Sequence, residues 1–84
     1  MKLIINIKMK GAMIMPLSYV GIGETRTISA FQGKDDVKRH LQDIGFVAGE
    51  KVRVLSENES GLILLVKDAR IALNKGLAAR IMVN

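Results

Sequence analysis

The chain has 84 residues, enough for one small domain at about 100–200 residues per domain, and so short a chain has too thin a core for an ordinary catalytic cleft. Apolar residues make up 49%, which argues against a disordered tail, while aromatics are only 4% (Tyr19, Phe31, Phe46), which argues against a platform of stacked bases. The formal charge is +5, and the absence of cysteine excludes disulfides, thiolate-held metals and thiol chemistry.

The first twelve residues contain Lys2, Lys8 and Lys10 and no acid. Leu3-Ile4-Ile5 is too short for the apolar run of about 7–15 residues in a signal peptide, and no stretch approaches the ~20 apolar residues of a membrane span. The chain therefore reads as soluble and cytoplasmic. Partial alternation (Leu3, Ile5 and Ile7 against Lys2, Asn6 and Lys8) suits an added edge strand as well as a loose extension, so residues 1–14 are set apart from a domain at 15–84.

After Pro16, Gly21 and Gly23 mark a turn, because glycine tolerates backbone angles that other residues avoid. Residues 24–31 (ETRTISAF) are rich in strand formers, with Ile28 and Ala30 expected on one face. Beyond Gly33 the period changes: Val37, Leu41 and Ile44 fall at i, i+4 and i+7. Asp35 and Asp36 suit the positive end of a helix dipole and Gly45 suits its C-cap, so residues 34–44 are predicted as one amphipathic helix of about three turns.

Strand signals then resume. Val52 and Val54 alternate with Lys51 and Arg53, and Asn58-Glu59-Ser60-Gly61 is a turn cluster. Residues 62–66 (LILLV) are apolar at every position, so both faces are expected to be covered or one to meet a partner. Residues 67–69 turn the chain into a strand with Ile71 and Leu73 inward, residues 74–77 make a tight bend or short 3₁₀ turn, and residues 80–83 form a last strand. The fold class is mainly β with one or two helices: five short strands in a small, partly closed barrel, with an amphipathic helix inserted after the first.

The string from Leu17 through Gly23, Leu41-x-x-x-Gly45-Phe46-Val47-x-Gly49, Val52-x-Val54, Gly61, Ile71-Ala72-Leu73 and Ala78-x-x-Ile81-x-Val83 resembles the FeoA family, ferrous iron transport protein A. The order and spacing of these glycines and aliphatics carry the resemblance, which covers nearly the whole chain beyond the extension. Ala48 and Leu62 depart from the family's pattern, in which proline is common at those two turn positions. The resemblance implies an SH3-like β-barrel with an inserted helix, and a cytoplasmic accessory role beside FeoB, a membrane ferrous-iron transporter with a GTPase domain. The module is also similar to the C-terminal domain of iron- and manganese-dependent repressors. A chain of 84 residues has no room for their helix-turn-helix domain.

No catalytic residue is expected. The single histidine, His40, falls on the polar side of the helix, no GxxxxGK[ST] phosphate loop occurs, and Gly21-x-Gly23 lacks the third glycine and following helix of a dinucleotide fingerprint. No metal site or cofactor is expected either. The nearest approach to one is Asp36 and His40, at i and i+4, whose carboxylate and imidazole suit Fe²⁺ or Zn²⁺ but fall short of a four-ligand set.

Binding is the better-supported class. Phe46, Leu62, Leu64 and Met82 are the candidates for an exposed apolar patch that meets a partner, against the alternative that the helix or the extension covers them. The resemblance makes that partner FeoB or a second copy of the chain. Two alternatives belong to other classes. One is a nucleic-acid-associated barrel using Lys2, Lys8, Lys10, Arg26, Lys51, Arg53 and Arg80. The other is a divalent-metal-sensing regulatory module that binds through His40.

Overall fold

The computed structural model describes residues 14–84. The predicted extension or edge strand therefore lies outside the described residues except for Ile14, which is exposed and belongs to no strand.

Six strands form the frame: β1 (Met15–Pro16), β2 (Thr25–Phe31), β3 (Lys51–Glu57), β4 (Gly61–Val66), β5 (Ala69–Asn74) and β6 (Ile81–Val83). Between them stand a 3₁₀ turn at Leu17–Tyr19, helix α1 (Asp35–Ile44) and the single helical turn α2 (Lys75–Ala78). The strand order is β1-β6-β2-β3-β4-β5, with every pairing antiparallel. The predicted mainly-β barrel with an inserted helix is the observed architecture, with one strand more than expected. The addition is β1, where Met15 and Pro16 lie opposite Val83 and Met82. Two residues, one a proline, carry no alternation to read, so their pairing is fixed only by the position of β6.

The barrel bends at β2. Thr25, Arg26 and Thr27 pair with β3, whereas Ile28, Ala30 and Phe31 pair with β6, so a single strand serves both halves of the sheet. The register shifts between Ile28 and Ala30. An extra residue in a strand re-aims the side chains that follow it. Ile28 is accordingly buried while Ala30 is exposed, which corrects the expectation that the two share the inner face.

Helix α1 follows its sequence signals. Leu41 is fully buried, Val37 and Ile44 pack half-buried against the core, and Asp35 and Asp36 occupy the first turn. Gly45 ends the helix at φ 130°, its N–H donating to the carbonyls of Leu41 and Gln42. The next N–H, of Phe46, donates back to Leu41 at 2.9 Å. This left-handed cap reverses the chain and drops the Phe46 ring into the barrel.

The inner faces of the strands supply the core, with Val52, Val54, Leu64, Ile81 and Val83 fully buried around Phe46, Leu17 and Ile28. No polar or charged residue among those described is buried. Gly61 opens β4 where the backbone of β5 comes close: a Cβ there would overlap the Leu73 carbonyl oxygen. Asn58 holds the preceding turn, its Oδ1 accepting from the N–H groups of Ser60 (2.9 Å) and Gly61 (3.0 Å). Asn74 caps α2 by accepting from the Leu77 N–H at 2.8 Å. The bend expected at residues 74–77 is thus one helical turn held by a side-chain cap.

Candidate partner-binding site

Three of the four residues expected to form an apolar patch lie inside the barrel. Phe46 and Leu64 are fully buried, Leu62 is 3% exposed, and Met82 is half-buried on the short strand between β1 and β2. The expectation that they are exposed is corrected, and the reason is geometric. Strand β4 alternates, so Leu62, Leu64 and Val66 point into the core while Ile63 and Leu65 lie half-buried on its outer face. A run that is apolar throughout conceals this division.

The exposed large apolar residues are elsewhere: Tyr19 (78%), Ile22 (61%), Ile14 (50%) and Val47 (36%). Sequence reasoning did not single them out. Ile22 sits in a turn closed by Glu24 N–H to the Gly21 carbonyl at 3.1 Å, with Gly23 at φ 90°. Flanked by two glycines, it has no neighbouring side chain to shield it, and that flanking was the one signal available.

Asp36 and His40 stand one helical turn apart on the exposed side of α1. The Oδ1 of Asp36 accepts from the Val37 N–H at 2.8 Å. Among the described residues, no group of three or more histidine, aspartate or glutamate side chains is placed to hold a metal ion.

The basic residues of the nucleic-acid alternative do not share one face. Arg26 lies opposite Val52, hence on the other side of the sheet from Lys51 and Arg53, and its guanidinium bonds Glu24 at 2.9 Å. The Nε of Arg26 is buried without a partner. Arg80 lies beside Gly33, near the start of α1.

Lys51 and Arg53 do come together, along an open groove of about 410 Å³. Strand β2 contributes Thr25 to it, β3 contributes Lys51 and Arg53, β4 contributes Leu65, and Glu50 and Lys67 flank it. The register explains the assembly, since Arg53 lies opposite both Thr25 and Leu65, with Thr27 opposite Lys51. Lys67 takes the left-handed conformation at φ 57°, and its Nζ lies 3.6 Å from Glu50. A smaller hollow of about 180 Å³ opens at the far end of β4, between Asn58, Ser60 and Asn74.

A small antiparallel barrel whose shared strand bends the sheet on itself, with a helix inserted after that strand, defines a domain of the SH3-like class. Among such domains, the chain belongs to the FeoA family: the FeoA domain profile matches residues 15–84. A crystal structure of an iron uptake regulatory protein, FeoA, is 32% identical, with a TM-score of 0.78 and coverage of 84% of this chain and 96% of that one. FeoA of Stenotrophomonas maltophilia, crystallised with zinc and described as a prokaryotic SH3 domain protein, is 29% identical with a TM-score of 0.73, covering 83% of this chain and 89% of that one. A manganese-dependent transcriptional repressor shares the fold at 23% identity and a TM-score of 0.76, matching 83% of this chain but only 40% of its own length. No curated protein matches the chain by sequence. Among the described residues, no helix is long and apolar enough to cross a membrane.

Proposed function

We propose that the chain is a cytoplasmic accessory protein of ferrous iron uptake that binds an FeoB-type transporter and modulates its assembly, GTPase activity or transport through protein contacts. The observation that carries this reading is the match of the FeoA domain over residues 15–84, the length of the barrel. The description of the Stenotrophomonas relative raises a role as an activating factor of ferrous iron transport, which points in the same direction. Action by contact rather than by chemistry suits a domain in which, among the described residues, no polar or charged residue is buried and no group of three or more histidine, aspartate or glutamate side chains is placed to hold a metal ion.

The test is an amide chemical-shift titration of labelled protein with the cytoplasmic GTPase domain of the cognate transporter. Saturable shifts confined to one outer face, with a change in GTP hydrolysis or in assembly of the full transporter, are the expected result. Absence of both, at concentrations well above those of ordinary signalling contacts, would overturn the adaptor reading.

A further inference from the structure

We propose that the groove between β2, β3 and β4 is the docking surface for an extended acidic segment of a partner protein. The inference deepens the adaptor reading by naming a surface and a partner chemistry. Its test uses a synthetic peptide, so its failure would leave the transporter titration to be judged separately.

Charge is the first observation. Residues 14–84 contain ten Lys and Arg against eight Asp and Glu, a net excess of two. Lys51, Arg53 and Lys67 line the groove, and Arg70 lies opposite Leu65 on the neighbouring strand. Only Glu50 in the groove and Asp68 beside it oppose these four cations, so the whole excess of the described chain gathers at this one surface. A cleft with an excess of one sign of charge attracts and orients a partner of the other sign.

Shape and chemistry select the kind of acidic partner. Arg53, Leu65 and Arg70 form one row across three adjacent strands, which places the two guanidinium stems roughly 10 Å apart with a half-buried leucine between them. An extended peptide with an apolar residue between acidic ones matches that row: carboxylates reach the arginines while the apolar side chain covers Leu65. Among the described residues β5 pairs with β4 alone, and Arg70 on it is exposed. No residue lining the groove is aromatic. Single-stranded nucleic acid is normally held by aromatic stacking as well as by cations, and this surface offers only the cations.

Lys67 is the second observation. A lysine at φ 57° occupies a conformation that glycine and asparagine adopt more readily, in a turn that either of them would fit. What lysine adds there is a charge at the mouth of the groove, 70% exposed and 3.6 Å from the Glu50 carboxylate. Glu50 is thus a built-in competitor. It occupies one cation of the groove until a partner's carboxylate takes its place.

That arrangement gives a test with opposite signs. The probe is a capped acidic pentapeptide with two glutamates on each side of a central leucine, followed by amide chemical shifts at low salt. Saturable shifts at Thr25, Lys51, Arg53, Leu65 and Lys67 are expected, with affinity falling as salt rises. Arg53→Glu should weaken binding about tenfold, by turning an attraction into a repulsion at an exposed site, whereas Glu50→Gln should tighten it about threefold. Lys38→Glu on α1 makes the same change in net charge away from the groove and should leave affinity within about twofold. Retained amide dispersion in each variant confirms that the barrel has folded. The proposal is overturned by no saturable shift at millimolar peptide, by equal weakening in Arg53→Glu and Lys38→Glu, or by weaker binding in Glu50→Gln. It is equally overturned if a short oligothymidylate binds the same residues more tightly than the peptide.

Discussion

Replacing Gly61 with alanine adds one methyl group where the backbones of β4 and β5 come close. The new Cβ would overlap the Leu73 carbonyl oxygen and lie 2.9 Å from Asn74 Cα and 3.0 Å from the Leu73 carbonyl carbon. All three are main-chain atoms, so no rotamer change relieves the clash. Strand β5 must retreat from β4 by a distance on the order of an ångström, or the pairing must open at this end. Overpacking of this kind costs about 1–3 kcal/mol, and a rigid main-chain obstacle places Gly61→Ala in the upper part of that range, about 2–3 kcal/mol. In a domain of this size each kcal/mol moves the midpoint by about 4–8 °C, so a fall in Tm of roughly 10–20 °C is expected. The assay is thermal unfolding by circular dichroism, with urea unfolding as a second measure. Gly76→Ala supplies the control: it lies in α2, and a Cβ added there would meet only the Asn74 side-chain Oδ1, at 3.4 Å in ordinary contact. That variant should melt within a few degrees of the parent or above it, because alanine restricts the unfolded chain. If Gly61→Ala melts within about 2 °C of the parent, or both variants fall equally, steric exclusion at the β4–β5 crossing is not what requires glycine.

Two further outcomes follow from the core and from the helix surface. Phe46 is fully buried, so Phe46→Ala should remove about 3–5 kcal/mol, most of the stability of a small domain, and collapse the amide dispersion, whereas Phe46→Leu should stay folded with a lowered Tm. A native Tm in Phe46→Ala would refute the core assignment, and loss of partner binding in that variant would report unfolding rather than a lost contact. Saturating Zn²⁺ or Fe²⁺ should leave Tm within about 1 °C of the metal-free value, since a ligand that binds the folded state raises its stability by mass action. A rise of several degrees that His40→Ala abolishes would instead establish a site at Asp36 and His40 and favour the metal-sensing alternative.

The parts of the fold legible in the sequence are those where local and tertiary preference coincide. Helix α1 was legible from the spacing of Val37, Leu41 and Ile44, its acidic first turn and Gly45, all of which act within about ten neighbouring residues. Strands β3 and β5 were legible from alternation because one face of each is polar. Strand β4 was readable as a strand but not as two faces, since leucine and isoleucine serve equally well inside a core and under a half-covered surface. Leu62 and Leu64 therefore read from sequence as candidates for a partner surface as readily as for the core, and Leu65, on the other face, carries no mark that sets it apart. The bulge after Ile28 and the pairing of Met15 and Pro16 depend on where β6 lies, residues away in sequence, and leave no local pattern. The groove was hidden for the same reason. Lys51 and Arg53 appear as scattered charges until the register sets them beside Lys67 and Arg70.

The division of β2 between two partners has a kinetic consequence. Strands β3, β4 and β5 follow one another through short turns and close only small loops, whereas β6 joins β2 and β1 across most of the chain. Local pairings form before distant ones because the distant ones close longer loops for the same reward. The meander of β3, β4 and β5 is therefore expected to assemble early, and the barrel to be completed only when β6 reaches Ile28 and Phe31. Native-state hydrogen exchange should reflect that order: the amides of β6 and the second half of β2 exchange together in one opening event, separable from the turn amides at Asn58 and Lys67. A single strand shared by both halves is thus the joint at which slow, long-range closure is coupled to a rapidly formed local sheet.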